Sequence, residues 1–317
     1  MNQNYKPKIS VIMPCFNAAS YVEESVRCVM EQSYPNVELI LVDDGSTDGS
    51  VKIVQRLAEE FPGRIRQFFQ DHAGPYPARN QGLRHAKGEY VAFLDADDWW
   101  TRDCLEKLHA ALAEHSETVV AYCGWQNVGL TGGRGEPHSP PDYELEDKTV
   151  RFLRAAAPWP IHAALVRRTA IDQAGGFDLT LPTCMDYDLW LRIAEPRPIR
   201  RVPEVLAFYR HHTSGQITST QWRQAKNSWL VKRKFIREHP ERVRHLERNR
   251  LRELVDGGLL SRGYDNFWKR DLVSARRIFR MSLFRGGWQL KDLKYLLPAL
   301  LPEPLYIWLV TRRDRPA

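Results

Sequence analysis

Three carboxylates stand within four residues in the segment Asp95-Ala96-Asp97-Asp98, directly after the apolar run 90–94. Negative charges held this close together repel one another. A hard divalent cation such as Mg²⁺ or Mn²⁺ would relieve that repulsion, because it prefers oxygen ligands and also bridges to the phosphates of a nucleotide. The alternative is an acidic turn in which Asp97 or Asp98 caps the helix that follows.

A second acidic segment has the same form: the apolar run 37–42 opens into Asp43, Asp44, a glycine and hydroxyl residues. A carboxylate here could accept hydrogen bonds from the imide of a nucleotide base or from a ribose hydroxyl. The alternative is turn chemistry with a helix cap at Ser46 or Asp48. No G-x-G-x-x-G motif follows the first apolar run, which disfavours a dinucleotide-binding dehydrogenase.

Other charged residues lie at the starts of predicted helices. Arg79 begins one of them, where its guanidinium could contact a diphosphate, and the alternative is a surface salt bridge. Asp186 and Asp188 begin a short amphipathic segment, and either could act as a general base. For Asp188, capping of that helix is the favoured interpretation.

Hydrophobic periodicity predicts the elements that position these residues. Predicted strands at 8–13, 37–42, 65–69 and 90–94 alternate with predicted helices running from 20 toward 32, over about 50–60 and over 77–86. Ser20 and Glu23 have the spacing of a capping box at the first helix. This alternation calls for a Rossmann-like, mostly parallel sheet covered by helices on both faces, with ligands at the carboxyl ends of its strands. The expected fold class is α/β.

Composition favours a folded protein in a reducing compartment. Hydrophobic residues make up 43% and charged residues 27% of the 317, ordinary values for a globular protein. The five cysteines are scattered without a C-x-x-C pair, so reduced thiols are expected. The N-terminus lacks the apolar core of a signal peptide. We therefore expect a cytoplasmic protein.

The net charge of +7 is divided unevenly along the chain. Residues 216–317 hold 23 lysines and arginines against 10 acidic residues, a net +13, whereas residues 1–215 hold 23 against 29, a net −6. The basic segment turns helical and ends in leucine-, tyrosine- and tryptophan-rich stretches that prolines interrupt. We therefore predict a catalytic domain over 1–215 and a basic helical region over 216–317.

Two roles are open for this basic region. It could bind peripherally to the anionic inner face of the cell membrane, with Trp288, Tyr295, Tyr306 and Trp308 at the headgroup boundary. Its apolar runs are too short to span the bilayer. The alternative is that its leucines pack as helices against the catalytic domain. A nucleic-acid partner is not expected, because the segment lacks a recognisable recognition module.

Residues 7–215 resemble the family 2 glycosyltransferases, the large inverting family with the GT-A fold. The resemblance is carried in order by VIMPCFNAASYVEESVRCVMEQSYPNVELILVDDGSTDGS, GPYPARNQGLRHAKGEYVAFLDADD, GGFD, MDYDLWLRIA and YRHHTSG. One such motif would be weak evidence, whereas several in register are specific. The resemblance implies transfer of a sugar from a nucleotide diphosphate donor, a UDP-sugar by default.

The resemblance also implies a nucleotide pocket. Its members at matching positions are Pro14, Asn17, Asp43, Asp44 and Arg79, with Asp43 nearest the base.

A metal site is implied by the family's D-x-D pair, which matches Asp95 and Asp97. Asp97 is then the direct ligand of Mn²⁺ or Mg²⁺, and Asp95 mainly steadies the ribose and the metal. The Y-R-x-H spacing at 209–212 makes His212 the favoured further contact to the metal or diphosphate, with His211 a weaker candidate.

The family's catalytic base matches Asp186, although Met185 stands where the family usually has glutamate. Asp186 would take the proton of the acceptor hydroxyl while that oxygen attacks from the face opposite the leaving diphosphate. The acceptor implied is a glycan or a lipid-linked molecule of cell-surface polysaccharide synthesis. The alternative is a non-catalytic sugar-nucleotide-binding protein with the same fold, against which the set Asp97, Asp186 and His212 speaks.

Overall fold

The computed structural model describes residues 5–129, 135–155, 157–181, 183–211 and 220–312. The chain divides into two compact units. The first, called here the sheet unit, comprises Met1–Lys148, Pro158–Thr180 and Asp188–Thr213. The second, called the helical unit, comprises Thr149–Ala157, Leu181–Tyr187 and Ser214–Ala317.

Nine strands in the described part of the chain form one mixed sheet. They are β1 (Ile9–Cys15), β2 (Val37–Asp43), β3 (Ile65–Phe69), β4 (Tyr90–Phe93), β5 (Trp99–Trp100), β6 (Val120–Val128), β7 (Pro137–His138), β8 (Ala164–Arg167) and β9 (Ile199–Arg210). Their order is β3-β2-β1-β4-β8-β6-β9-β5, and β7 pairs with β6. The neighbours from β3 to β4 are parallel as predicted, whereas β8 runs antiparallel to both β4 and β6. The predicted α/β class is confirmed.

The register of the parallel strands fixes where the polar loops emerge. Cys15 pairs with Asp43 across β1 and β2, and Ile12 pairs with Phe93 across β1 and β4. Parallel strands end at the same edge of a sheet, which is where ligands bind in open α/β folds. The loops that follow β1, β2 and β4 therefore meet at one edge, called here the carboxyl edge.

Helices alternate with the strands along the first 193 residues. They are α1 (Val22–Met30), α2 (Ser50–Glu60), α3 (Pro75–His85), α4 (Cys104–Ala113), α5 (Lys148–Arg154), α6 (Arg168–Ala174) and α7 (Met185–Ile193). Val22, Val26 and Val29 on α1, and Val54 and Leu57 on α2, are fully buried. Their spacing of three or four residues is the helical period that the sequence predicted.

The predicted capping box at the first helix is wrong. Tyr21 rather than Ser20 immediately precedes α1, and no side chain caps the helix. The carbonyl oxygen of Ala18 instead accepts the N–H groups of Tyr21 and Val22, both at 2.9 Å. A main-chain turn therefore satisfies two of the N–H groups at the start of this helix.

Asn80 on α3 anchors the glycine turn that follows α6. Its Nδ2 donates to the carbonyl oxygen of Phe177 and its Oδ1 accepts the N–H of the same residue, each at 2.9 Å. Arg192 donates to the carbonyl oxygens of Ala174 and Gly176. Gly176 has a φ of +76°, and a Cβ there would lie 2.8 Å from Asn80 Oδ1. This turn therefore requires glycine.

The region after residue 220 is helical, as predicted. It contains α8 (Gln221–Glu238), α9 (Pro240–Val243), α10 (Arg248–Arg252), a π-helical turn (Glu253–Gly257), α11 (Gly258–Trp268), α12 (Leu272–Arg285), α13 (Leu293–Leu296) and α14 (Glu303–Arg312), with 3₁₀ turns at Leu290–Asp292 and Pro298–Leu300. Across the described ranges, none of the helices has the length and apolarity needed to traverse a lipid bilayer.

The helical unit has a hydrophobic core of its own. Tyr306, at 1% exposure, packs there with Phe279 and Leu296, and Trp288 and Tyr295 pack against this cluster. The expectation that Tyr306 lies at a headgroup boundary is therefore wrong.

The main chain at Gly88 lies so close to the start of β1 that a side chain there would clash. A Cβ at Gly88 would lie 2.6 Å from the Ser10 nitrogen and 2.7 Å from the Lys8 carbonyl oxygen. Because these main-chain atoms cannot rotate away, we expect Gly88→Ala to lower the free energy of unfolding by about 1–3 kcal/mol in urea denaturation. Gly49→Ala is the control, since a Cβ there comes no nearer than 3.8 Å to Ala19. Equal stability of the two variants would contradict this.

Candidate active site

Asp43 presents a carboxylate oxygen at the carboxyl edge. Its Oδ1 accepts the N–H groups of Gly45 at 3.1 Å and Ser46 at 2.9 Å. Its Oδ2 is buried and has no hydrogen-bond partner within the described residues. A buried acceptor without a donor is costly unless a ligand supplies one. Asp43 can thus accept a hydrogen bond from a bound molecule.

Asn17 and Pro14, both predicted to line the nucleotide pocket, lie on the loop and strand next to Asp43. Asn17 has a φ of +48°, and its Oδ1 accepts the N–H of Thr47 at 2.8 Å. Its own N–H donates to the Ser46 hydroxyl at 3.0 Å. Pro14 is buried near the end of β1, in register with Val42. Both residues fix the loops that surround the Asp43 carboxylate.

Asp44 braces the loop that leads into α3. Its Oδ1 accepts the Gln70 side-chain amide at 2.7 Å and the Ala73 N–H at 2.8 Å, and its Oδ2 accepts the Gly74 N–H at 2.8 Å. His72 Nδ1 also lies 2.9 Å from Oδ2. In this structure the carboxylate expected to contact the nucleotide therefore organises the entry to α3.

An exposed aromatic pair at the same edge was missed by the sequence analysis. Phe16 is 45% exposed, and its ring stacks on His72 with centroids 4.0 Å apart and planes inclined by 25°. Phe16 directly follows Cys15, which pairs with Asp43. A flat aromatic surface next to a hydrogen-bond acceptor suits a planar heterocycle. The signal in the sequence was an aromatic residue immediately past a buried strand.

The carboxylates of the acidic loop after β4, residues 95–98, differ in burial: Asp98 is buried, whereas Asp95 and Asp97 are partly exposed. Asp98 is fully buried, with Oδ2 3.3 Å from Nδ1 of the buried His162. Burial raises the pKa of Asp98 well above its usual value, and the charges of Asp97 and Asp95 raise it further. Burial likewise lowers the pKa of His162 to about 4. Burial thus drives both groups toward their neutral forms.

Asp95 is half-buried and forms an ion pair with Arg79 of α3. Arg79 is 3% exposed, and its guanidinium lies 5.0 Å from the centroid of the Tyr76 ring. The arginine was expected to contact a diphosphate directly. Here it holds the Asp95 carboxylate, so it positions one member of the predicted metal pair.

Arg210, at the end of β9, fixes the acidic loop from the other side. Its N–H donates to Asp98 Oδ1 at 2.8 Å and its Nε donates to the Asp97 carbonyl oxygen at 2.8 Å. Its Nη2 donates to Glu24 at 2.7 Å, and the guanidinium lies 4.5 Å from the Trp99 ring centroid. The role of Arg210 cannot be predicted from local sequence, because its partners in the acidic loop lie more than a hundred residues away.

The described residues contain no group of three or more His, Cys, Asp or Glu side chains placed to hold a metal ion. His212, the predicted third contact, lies outside the described residues. His211 donates its N–H to the Val128 carbonyl oxygen at 2.7 Å. Mg²⁺ typically takes only one or two protein carboxylates together with substrate phosphates, so Asp95 and Asp97 fit such an ion chemically.

Asp186 and Asp188 differ in their surroundings. Asp188 is buried and accepts from Arg192 Nε at 2.8 Å, one helical turn along α7. It is therefore an ion-pair partner rather than the helix cap that was expected. Asp186 is the second residue of α7, half-buried. Burial raises the pKa of the adjacent Cys184 to about 12, with the Asp186 charge adding to the shift.

Solved structures share this architecture. S. aureus TarS 1–349 in complex with UDP-GlcNAc has a TM-score of 0.61 at 18% identity, over 97% of this chain and 92% of that one. The mannosyltransferase PcManGT from Pyrobaculum calidifontis, in complex with GDP-Man and Mn²⁺, has a TM-score of 0.58 at 21% identity, over 99% and 89%. The predicted GT-A fold is confirmed.

Sequence comparison gives the family. The profile described as glycosyl transferase family 2 matches residues 10–174. TuaG of Bacillus subtilis (strain 168), whose name assigns it provisionally to teichuronic acid biosynthesis as a glycosyltransferase, is 34% identical over 241 residues, or 74% of this chain and 91% of TuaG. The chain belongs to glycosyl transferase family 2.

Asp43→Asn tests the acceptor at the carboxyl edge. The asparagine keeps an oxygen for Gly45 and Ser46 but places an amide donor where Oδ2 was. We expect UDP to bind more weakly by about 1.5–3 kcal/mol, on the order of 10- to 150-fold in Kd, with little change in melting temperature. Asp71→Asn, at an exposed position of the neighbouring loop, should bind UDP as wild type does. Wild-type affinity in Asp43→Asn by calorimetry would show that Oδ2 contacts no donor.

Proposed function

We propose that this glycosyltransferase is an inverting, metal-dependent enzyme that moves one sugar from a nucleotide diphosphate to a hydroxyl acceptor. One observation carries the proposal. The carboxyl edge brings together the buried Asp43 acceptor and the acidic loop 95–98 through the parallel register of β1, β2 and β4. A base-binding acceptor and a cation-binding loop at one edge are what a nucleotide diphosphate requires.

The donor nucleotide would bind through its base at Asp43. Asp43 Oδ2, which has no partner among the described residues, would accept an N–H of the base. The Phe16 ring would give the base a surface to stack on. UDP is the first candidate, since an imide N–H matches an acceptor. TarS was solved with UDP-GlcNAc, whereas PcManGT was solved with GDP-Man.

The diphosphate would lie toward the acidic loop. Asp97 and Asp95 would hold Mn²⁺ or Mg²⁺ there, with His212 as a further contact. A bound divalent cation supplies charge neutralisation for the diphosphate that leaves. Arg79 keeps Asp95 oriented, and Arg210 fixes the main chain of the loop. Preorganised charges of this kind need no rearrangement when negative charge develops on the leaving group.

Asp186 would act as the general base. It takes the proton from the acceptor hydroxyl while that oxygen bonds to the anomeric carbon and the bond to the diphosphate breaks. Attack and departure on opposite faces in a single displacement invert the anomeric centre. The burial of Asp188 and its pairing with Arg192 give the second carboxylate of the motif a structural role.

The acceptor we propose is a glycan or lipid-linked molecule of cell-surface polysaccharide synthesis, in line with the name of TuaG. A peripheral position on the inner face of the membrane would bring the enzyme to such acceptors. Support comes from the net +13 of residues 216–317 and from exposed apolar side chains near their end. These are Leu297, Leu300, Leu305 and Trp308, each between 44% and 53% exposed.

We expect Asp186→Asn to bind UDP-sugar as wild type does and to lose transfer by about 10²–10⁴-fold, the usual loss for a missing general base. Melting temperature should stay unchanged, because the substitution preserves shape. Asp188→Asn is the contrasting variant, and it should lower the melting temperature by breaking the Arg192 pair. Single-turnover assays and thermal denaturation separate the two. Wild-type transfer by Asp186→Asn would mean that another group takes the proton.

Membrane binding is tested by flotation with the full chain, since a truncation before Leu296 would open the core of the helical unit. Wild type should float with anionic vesicles at low salt, because each lysine or arginine near an anionic leaflet contributes about 1 kcal/mol. The double variant Leu305→Glu/Trp308→Glu should float much less. Leu145→Glu, at 80% exposure in the sheet unit, should float as wild type does. Failure of wild type to float would refute the membrane proposal.

A further inference from the structure

A cavity of about 70 Å³ lies within the helical unit. Lys232 and Ser228 of α8, Gly258 and Arg262 of α11, and Arg154 of α5 are among the residues that line it. A single water needs roughly 10–15 Å³ of such space. The cavity therefore has room for several waters or for one compact polyatomic ion.

Lys232 is the central feature of this cavity. Its side chain is only 6% exposed, and it has neither a hydrogen bond nor an ion pair to any residue that the structure describes. A Cβ built at Gly258 would lie 3.8 Å from the Lys232 Nζ. The amine therefore faces α11 at a glycine, the position where this helix carries no side chain. Burial and, to a lesser extent, the charge of Arg262 together lower the pKa of Lys232 to about 8. A buried amine of this kind is costly unless a partner satisfies it.

The charged side chains that line the cavity have the same sign. Among the described residues, Lys232, Arg262 and Arg154 line it, and no aspartate or glutamate does. The nearest acid along the chain is Asp256, beside the lining residue Val255, and its Oδ1 accepts the indole N–H of Trp229 at 2.8 Å. The protein therefore supplies three cationic groups to the cavity without a lining counter-charge.

We propose that this cavity binds a phosphate group, with the Lys232 ammonium and the Arg262 and Arg154 guanidiniums as its donors. Guanidinium forks and an ammonium point charge are the usual protein partners of phosphate oxygens. All the residues that line this cavity belong to the helical unit. The phosphate could be free, or it could be a diester within a polymeric acceptor.

The decisive comparison uses Lys232→Met and Lys226→Met. Lys226 lies on the same helix and is exposed, so its substitution removes an equal charge without touching the cavity. Replacing a buried charge by an apolar side chain of similar length is often neutral or stabilising, so Lys232→Met should fold. We expect inorganic phosphate, at fixed ionic strength, to raise the melting temperature of wild type and of Lys226→Met. In Lys232→Met the phosphate affinity should fall at least tenfold. An unchanged phosphate response in Lys232→Met would overturn the proposal.

The pH dependence gives an independent readout. Lys232 is mostly charged below its pKa of about 8 and mostly neutral above it, whereas a guanidinium group in general stays protonated over this range. Sulfate keeps its own charge over this range and is therefore the probe. We expect sulfate affinity for wild type to fall between pH 7 and 9 and to be flat in Lys232→Met, and Arg262→Gln should weaken it at all pH values. Identical pH profiles for wild type and Lys232→Met would contradict the site.

Two probes distinguish a free phosphate ion from a phosphate diester in a polymer. They are inorganic phosphate and a glycerol phosphodiester dimer, each titrated into wild type. Tighter binding of the dimer indicates a phosphate carried within a polymer, and tighter binding of inorganic phosphate indicates a free ion. In either case the binding must depend on Lys232. Equal binding of both probes by wild type and Lys232→Met would refute the proposal.

Discussion

Mutual repulsion among three carboxylates within four residues is the main electrostatic constraint on the acidic loop after β4. Burial drives Asp98 toward its neutral form, and the charges of its neighbours favour that form further. Asp95 pairs with Arg79 from α3. Arg210 holds the loop's main chain through the Asp97 carbonyl oxygen. The loop thus keeps its negative charge at the carboxyl edge while its backbone is fixed from two sides.

The rest of the sheet unit can be understood from this arrangement. Strand β5 follows the acidic loop directly and pairs with β9, with Trp99 opposite Phe208. That pairing brings Arg210, the last residue of β9, to the loop. The parallel register of β1 and β2 sets Asp43 at the same edge. The Asp43 carboxylate and the acidic loop are therefore both positioned by strand pairing within one sheet.

Much of this fold follows from local sequence patterns. The strands and helices up to Phe93 were predicted because buried β-branched runs and helical spacing alternate regularly there. The roles of Arg210 and Asp44 could not be predicted in this way. The Arg210 N–H meets Asp98 across 112 residues, and the donors to Asp44 come from a separate loop. Contacts of this range depend on strand order, which periodicity does not specify.

Local sequence patterns also failed to predict which residues of the helical unit are buried. Its basic composition suggested a solvated or membrane-facing surface, yet Tyr306 is a core residue and Lys232 is a buried one. A lysine in a basic amphipathic helix carries no local sign that its amine is enclosed. Only the packing of α5, α8 and α11 together shows that three cationic side chains share one cavity.

The account depends most on the claim that the acidic loop binds nucleotide diphosphate through a divalent cation. Calorimetry of UDP binding with Mn²⁺, with EDTA and with Asp97→Ala tests this directly. Wild type should bind UDP about tenfold or more tightly with Mn²⁺ than with EDTA, a difference of about 1.4 kcal/mol or more. Asp97→Ala should show the same weak affinity with and without the metal. Equal UDP affinity for wild type in Mn²⁺, for wild type in EDTA and for Asp97→Ala would contradict the account.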